Sequence, residues 1–375
     1  MIKLLYVINS LEGSGGSERA LINRSNFLIK HYNYQITIVT TKIGDTCSTF
    51  YKIDNRIEII NIPIDFTINT LYKKLNFLFY RNLAVEKPLI DFINKYQFDI
   101  CTSFGAETFL YKKIRHEKFI KIKEQRFTYK KLLNDDKVPF YKKVWRKVRY
   151  NHALHVLKKM DYIIALTDED ASFWKKEINN IKVMPNSINF SEISYSDLKN
   201  RVLISVGRLE NEKDFTSLIK AFNIVNSKYD DWILNIFGEG SLKLELEQLI
   251  QENNLCQKIF LRGSTNYIYS EYENSSIFVI TSMYEGFPNA MLEANAHGLP
   301  IVGFESVGGV KVLLEDGNNG FLIKNRSVED LAKGIMTLIE NKNIRKEMGK
   351  NSRVIAERYS ENSIMEKWHQ FYSSI

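Results

Sequence analysis

The chain has 375 residues, 44% hydrophobic and 26% charged, with 18 Gly, 6 Pro and 3 Cys. That composition excludes a disordered or collagen-like chain and a disulfide-stapled mini-protein, and at roughly 100–200 residues per domain the length predicts two domains. The formal charge of +8 is uneven: residues 111–159 hold 17 Lys/Arg against 4 Asp/Glu, so the rest of the chain carries −5.

From the amino terminus, an apolar run at 2–8 has strand length. A Gly/Ser-rich turn, a helix-like stretch at 17–31 and a second apolar run at 35–41 follow it, a βαβ pattern. The first run turns polar too soon for a signal-peptide core, and nowhere do 18 uncharged apolar residues run together, so no membrane span is expected. Strands are predicted at 57–60, 99–103, 119–122, 162–166 and 181–183, with helical stretches between most of them. Such alternation predicts a mostly parallel sheet covered on both faces. Cys47, Cys101 and Cys256 are far apart and lack C-x-x-C spacing, which fits a reducing, cytosolic compartment.

Within the basic block 111–159 the cations alternate with Phe119, Phe127, Tyr129, Phe140, Tyr141, Trp145 and Tyr150. The pattern reads as a membrane-interface or nucleic-acid surface, or as a solvated helical face whose aromatics are core. No recognisable nucleic-acid-binding motif accompanies it, so a nucleic-acid-binding protein is the weaker alternative. His152 and His155 are three apart without a third ligand, so no metal site is read there.

Residues 186–200 are polar and irregular, and a strand at 202–206 restarts the alternation. The boundaries predicted are an amino-terminal domain at 1–190, a carboxyl-terminal domain at 200–358 and a final helix at 360–375. In the second domain strands are predicted at 233–237, 259–261, 277–281, 301–304 and 321–323, and helices at 215–225, 242–252 and 288–297. The final helix carries Ile364, Met365, Trp368, Phe371 and Tyr372 at helical spacing, a stripe that needs a partner surface. Two tandem α/β domains predict a cleft, and open α/β sheets bind ligands outside the carboxyl ends of their strands.

Three segments at such ends carry chemistry. Gly13, Gly15 and Gly16 precede the first helix, where the backbone can approach a ligand and the leading N–H groups can face an anion. The loop is not G-x-G-x-x-G, and no acidic residue ends the second strand, so a nicotinamide dehydrogenase is not indicated. Gly207 and Arg208 leave the strand at 202–206, and Lys213 stands just before the next helix, so two cations can converge on a diphosphate. The alternative is that Glu210, Glu212 and Asp214 pair with both cations on a solvated turn. The third segment is 282–300. Pro288 at the first helical position, Gly298 past the last turn and Pro300 beyond it define a short helix. Glu293 in its second turn points back towards the mouth where Glu285 stands, and the N–H groups of Phe287, Asn289 and Ala290 lie between the two carboxylates. An anion-binding helix end flanked by two acceptors suits a nucleotide sugar.

Glu285 and Glu293 resemble the E-x7-E element of family 4 glycosyltransferases, which have the GT-B fold. Gly207-Arg208 with Lys213 resembles that family's diphosphate-binding turn, Gly15-Gly16-Ser17-Glu18 its amino-terminal glycine loop, and Gly238-Glu239-Gly240 its turn after the second donor-domain strand. The resemblance covers nearly the whole chain and is strongest over 201–323. It implies two Rossmann-like doubly wound α/β domains facing a cleft, with the final helix crossing back to the amino-terminal domain. It further implies retaining transfer of a hexose or N-acetylhexosamine from a nucleotide sugar, by family habit a UDP-sugar, with neither cofactor nor bound metal. Arg208, Lys213 and Glu285 would be catalytic. Gly15, Gly16, Gly207, Gly238, Gly286, Phe287, Asn289, Ala290 and Glu293 would bind the donor.

Two departures concern the sugar and the acceptor. Where many relatives carry a histidine after the strand at 119–122, this chain reads Lys123-Glu124-Gln125-Arg126, with His116 on the other side; this resembles relatives of polysaccharide pathways that show Glu-Arg here, a resemblance that makes Glu124 and Arg126 the acceptor-side candidates. The usual Gly-Pro-x-Glu element reads Gly309-Val310-Lys311-Val312, without its acid. The basic block in the acceptor half predicts peripheral docking on an anionic membrane at the inner face of the cell membrane. The expected acceptor is then a lipid-linked glycan of surface polysaccharide synthesis; a soluble acceptor such as a sugar phosphate or glucan is the alternative.

Overall fold

The computed structural model describes residues 1–13, 15–64, 83–105, 119–126, 147, 150–151 and 154–375. The chain divides into two compact units, Met1–Met184 with Met365–Ile375, and Pro185–Ile364.

In the first unit the strands are β1 (Ile2–Ile8), β2 (Tyr34–Thr40), β3 (Glu58–Asn61), β4 (Ile100–Ser103), β5 (Ile120–Gln125), β6 (Tyr162–Ala165) and β7 (Ile181–Val183). They form a parallel sheet in the order β3-β2-β1-β4-β5-β6-β7. β1 is buried from Leu4 to Ile8 without alternation, as a central strand covered on both faces must be. Strand order reverses at β1, so the loop from β1 into helix Gly16–His31 lies at the sheet's switch point, where this class of sheet binds ligands.

The second unit repeats the plan with β8 (Val202–Val206), β9 (Ile233–Phe237), β10 (Ile259–Gly263), β11 (Ile277–Ile280), β13 (Ile301–Phe304) and β15 (Gly320–Ile323), in the order β10-β9-β8-β11-β13-β15. Its switch point falls between β8 and β11, so the Gly207-Arg208 turn and the segment after Ile280 emerge side by side. Two short strands that the sequence pattern did not predict, β12 (Tyr284–Glu285) and β14 (Val307–Gly308), pair in parallel, and Gly309 N donates to Glu285 O at 3.0 Å. That ladder fixes the backbone carrying Glu285.

Helix Glu361–Ser374 ends in the first unit. Met365, Trp368, Phe371 and Tyr372 are all buried, with Phe371 edge-on to Tyr162 and Tyr372 Oη 3.2 Å from Tyr6 Oη. The apolar stripe has the partner it required, and the helix crosses back as expected.

Much of the basic block, including Phe127, Tyr129, Phe140, Tyr141, Trp145, His116, His152, Lys142, Lys143 and Arg146, lies outside the described residues. Within them the block is not one surface. β5 runs three residues past its predicted end and so takes in Lys123, and Lys121 and Lys123 are both buried strand residues, at 4% and 6% exposure. Lys123 Nζ donates to Gly105 O at 2.6 Å, and Phe119 and Tyr150 pack against the core. Lys147, Lys158 and Lys159 are exposed. Among the described residues no helix is long and apolar enough to cross a membrane.

Candidate active site

In the second unit the turn after β8 is built by backbone contact. Gly207 N donates to Phe237 O and Leu209 N to Glu239 O, each at 2.9 Å, so the turns after β8 and β9 lie flat on one another. Gly238 has a φ of +136°, and a Cβ there would stand 2.0 Å from Gly207 O. Its glycine is therefore demanded by packing, whatever it offers a ligand. Gly238→Ala is expected to destabilise the protein by about 2–4 kcal/mol, as backbone strain and overpacking combine. Thermal unfolding is the check, and a melting temperature unchanged from wild type would contradict the packing account. Gly207 leaves space for the Lys213 stem, whose Cδ and Cε would lie 3.3 Å from a Cβ at that position.

That stem runs to Glu285. Lys213 Nζ donates to Glu285 Oε1 at 2.5 Å, and Ser282 Oγ donates to the same oxygen at 2.7 Å. Both side chains of the ion pair are largely buried, 19% and 12% exposed. The turn is pinned from behind, with Thr281 Oγ1 donating to Lys213 O at 2.8 Å and Met283 N to Glu212 O at 2.8 Å. Arg326 clamps it further, donating to Asp214 Oδ2 at 2.6 Å, Thr281 O at 2.8 Å and Ser282 O at 3.1 Å. Arg208 does not join Lys213 on a common partner: its Nη2 donates to Glu212 Oε1 at 2.6 Å from a side chain 65% exposed. Of the acids that might have neutralised both cations, only Glu212 does so, and only for Arg208. Glu210 accepts from Ser241 Oγ at 2.8 Å, and Asp214 caps helix Phe215–Asn226.

Helix Asn289–Ala296 begins one residue later than predicted, because Pro288 is its extended cap residue and not its first helical one. The N–H groups of Phe287, Asn289 and Ala290 lead into it, and Met291 N is bonded back to Pro288 O at 3.1 Å. The Phe287 ring is buried edge-on to Tyr359, and the backbone of Gly286 and Phe287 packs against Gly309. The Asn289 side chain accepts from Asn186 Nδ2 at 2.6 Å. Glu293 is 6% exposed and accepts from Tyr272 Oη at 3.1 Å. Gly298 stops the helix with a φ of +76°, as its sequence position predicted.

His297 lies directly below. Its Nδ1 is 2.7 Å from Glu293 O, and the Tyr269 and Tyr272 rings stand 5.1 Å from it on two sides. Burial holds the imidazole below its ordinary value of 6.5, so the folded protein keeps it neutral where the unfolded chain takes up a proton. Its contribution to stability is present above pH 6.5 and is lost as pH falls through the lowered folded value. Denaturant titrations of wild type and His297→Gln between pH 5 and 8 should show a larger acid-side loss in wild type; parallel pH profiles would contradict it.

In the first unit Gly15 is the extended residue before helix Gly16–His31, and Gly16 is its first residue. Of the acceptor-side candidates, Glu124 is 1% exposed, with Oε1 accepting from Arg24 Nη2 at 2.5 Å and Oε2 from Arg126 Nη1 at 3.2 Å. It is a buried counter-ion, not an exposed acid. Arg126 Nη2 donates to Gly16 O at 3.1 Å, and so touches the glycine loop. Val312 stands in the place of the absent acid, and its neighbour Lys311 is paired with Glu305. The sequence reading missed Arg24, Ser282, Tyr272, Asn186 and Arg326. Only Arg24 left a trace, a cation at a core position of an amphipathic helix.

These two parallel-sheet units are Rossmann-like domains of the GT-B fold. A crystal structure of a mutant S. aureus TarM in complex with Fondaparinux, alpha-GlcNAc-glycerol and UDP covers 99% of this chain and 100% of its own, with TM-score 0.79 and 18% identity. Residues 187–354, the segment carrying Arg208, Lys213, Glu285 and Glu293, match the family model described as Glycosyl transferases group 1. Over 98% of this chain and 99% of the relative, the sequence is 28% identical to an uncharacterized glycosyltransferase of Haemophilus influenzae. It is 24% identical, over 100% of this chain and 99% of the relative, to the Campylobacter jejuni GalNAc-alpha-(1->4)-GalNAc-alpha-(1->3)-diNAcBac-PP-undecaprenol alpha-1,4-N-acetyl-D-galactosaminyltransferase. The family match and these relatives support a glycosyltransferase.

Proposed function

We propose that the chain is a retaining glycosyltransferase that moves a hexose or N-acetylhexosamine from a nucleotide sugar, a UDP-sugar, to a lipid-linked glycan in surface polysaccharide synthesis. The observation that carries the reading is the Lys213–Glu285 contact at 2.5 Å, which sets a cation and a sugar-facing acid beside the start of the helix that bears Glu293. In the reaction the bond from the anomeric carbon to the diphosphate oxygen breaks, and a bond to the acceptor hydroxyl oxygen forms on the same face. The hydroxyl proton passes to the departing diphosphate. Lys213 and Arg208 stabilise the charge that develops on that leaving group, without a bound metal, and this preorganised electrostatic help is the main catalytic term. The leading N–H groups of helix Asn289–Ala296 take up the anion, Glu293 holds the ribose and Glu285 orients the sugar. To do this Lys213 and Arg208 exchange Glu285 and Glu212 for phosphate oxygens. UDP in the TarM complex and the undecaprenol-linked acceptor in the Campylobacter enzyme's name support the donor and acceptor classes.

The test is transfer from radiolabelled UDP-sugars to polyprenyl-diphosphate-linked oligosaccharide with chelator present, the product's anomeric configuration being read by NMR. An inverted linkage, or activity only with added divalent metal, would overturn the corresponding part. The burial of Lys121 and Lys123 favours a second reading, a soluble acceptor, because it removes two cations from the surface expected to dock on lipid. Flotation with anionic and neutral vesicles separates them, since peripheral docking at the cytoplasmic face of the membrane requires preference for the anionic ones.

A further inference from the structure

Arg24 lies on the buried face of helix Gly16–His31, among Leu21, Ile22, Ser25 and Leu28, where the helical pattern calls for an apolar residue. Its guanidinium stands 3.9 Å from the Trp368 ring centroid, and 5.1 Å and 5.6 Å from those of Tyr6 and Phe104. Nη2 is bonded to Glu124, while the buried Nε has no hydrogen-bond partner. Glu124 in turn holds Arg126, and Arg126 donates to the carbonyl of Gly16. The last helix is thus joined to the glycine loop by a continuous chain of contacts, Trp368 to Arg24 to Glu124 to Arg126 to Gly16. The three charged side chains are 3%, 0% and 6% exposed, and two guanidiniums share one carboxylate.

Such a group is a poor device for stability alone. Buried ion groups are often matched or bettered by apolar residues of similar volume, and this one leaves the Arg24 Nε donor unpaired. What apolar residues could not do is fix the direction of Arg126. We propose that Arg24 is a positioning residue, which transmits the seating of Trp368 and the last helix to the carbonyl of Gly16 and thereby sets the conformation of the glycine loop. Its effect on turnover rests on the transferase reading above; its effect on the loop does not.

The test compares Arg24→Lys, Trp368→Leu and Trp368→Phe in the full chain. Lysine keeps the charge but loses the planar stack and the directed bond, and phenylalanine keeps a ring beneath the guanidinium. Amide hydrogen exchange over residues 19–22, whose N–H groups are bonded to the carbonyls of Gly15 and the opening helical turn, is expected to speed up at least tenfold in Arg24→Lys and Trp368→Leu, while Trp368→Phe keeps most of the protection. Turnover should fall at least tenfold in the same two variants, with nucleotide affinity changed less than about threefold, because Glu293 in the other unit is untouched. In Arg24→Lys/Arg126→Lys the loss should be no larger than that of the worse single variant, as expected of residues acting in series. Unchanged exchange over 19–22 in a folded Arg24→Lys variant would overturn the proposal, as would additive losses in the double variant. If wild type binds no nucleoside diphosphate the transferase reading fails, and the exchange measurement still decides whether the chain of contacts sets the loop.

Discussion

Turnover is expected to fall by about 100- to 1,000-fold when Lys213 is replaced by alanine, the usual cost of removing one preorganised donor from a developing negative charge. Nζ is held on Glu285 Oε1 at 2.5 Å, and its stem crosses the space that Gly207 leaves open, so no other described cation is placed to substitute. Arg208 is directed at Glu212 from an exposed turn and cannot take over without moving. The substitution also strips Glu285 of its cation, leaving the Ser282 hydroxyl bonded to a carboxylate only 12% exposed. Lys213→Ala therefore mixes lost catalysis with a misplaced acid, and Lys213→Ala/Glu285→Gln should cost less than the product of the two single losses. Steady-state kinetics with the donor varied checks both points. Activity within threefold of wild type would remove Lys213 from the chemistry. Arginine at this position is not expected to rescue, since its planar fork does not fit a path shaped for a slender stem.

The second large effect is on binding. Glu293→Ala is expected to weaken UDP at least about tenfold, because a hydrogen bond to a charged group is worth about 1.5–3 kcal/mol and the ribose has no other carboxylate assigned to it. The carboxylate is almost fully buried on helix Asn289–Ala296 and steadied by Tyr272 Oη at 3.1 Å, so its alignment is set before the nucleotide arrives. Tyr272→Phe, which leaves the carboxylate but removes that bond, should lose much less. Calorimetry of UDP, GDP and ADP on wild type and both variants reads affinity and base preference together. Affinity unaltered in Glu293→Ala would move the ribose contact elsewhere in the second unit.

The elements of both sheets were legible because each strand is a short apolar run closed by a polar turn, and the two switch points follow from strand order once the βαβ alternation is seen. Pro288 and Gly298 marked helix Asn289–Ala296 to within a residue of its observed ends. What local pattern could not report was which side chains meet across the sheet. Lys213 and Glu285 are 72 positions apart, and Arg24 and Glu124 are 100 apart. Nothing in the residues around either predicts the partner. For the same reason Lys121 and Lys123 read as surface charge, although both are buried on β5, Lys123 in the part that extends past the predicted end. Ser282, Tyr272 and Arg326 escaped notice because their roles consist of bonds to groups distant in sequence or in neighbouring loops. A side chain's bonding partner leaves no periodicity in the sequence.

The seating of residues 365–375 in the first unit has a consequence for biosynthesis. On the ribosome the β1–β7 sheet emerges first, yet the helix that covers Tyr6, Tyr34 and Tyr162 is made only after all 180 residues of the second unit. Until then the nascent first unit exposes an aromatic face with the Arg24 guanidinium uncovered beneath it, and closing it is a long-range event of the kind that slows folding. Premature release anywhere in the second half would therefore leave an incomplete first half as well, a sticky remnant fit for a holdase or a protease. Completion of both units is in this sense timed by synthesis of residues 365–375.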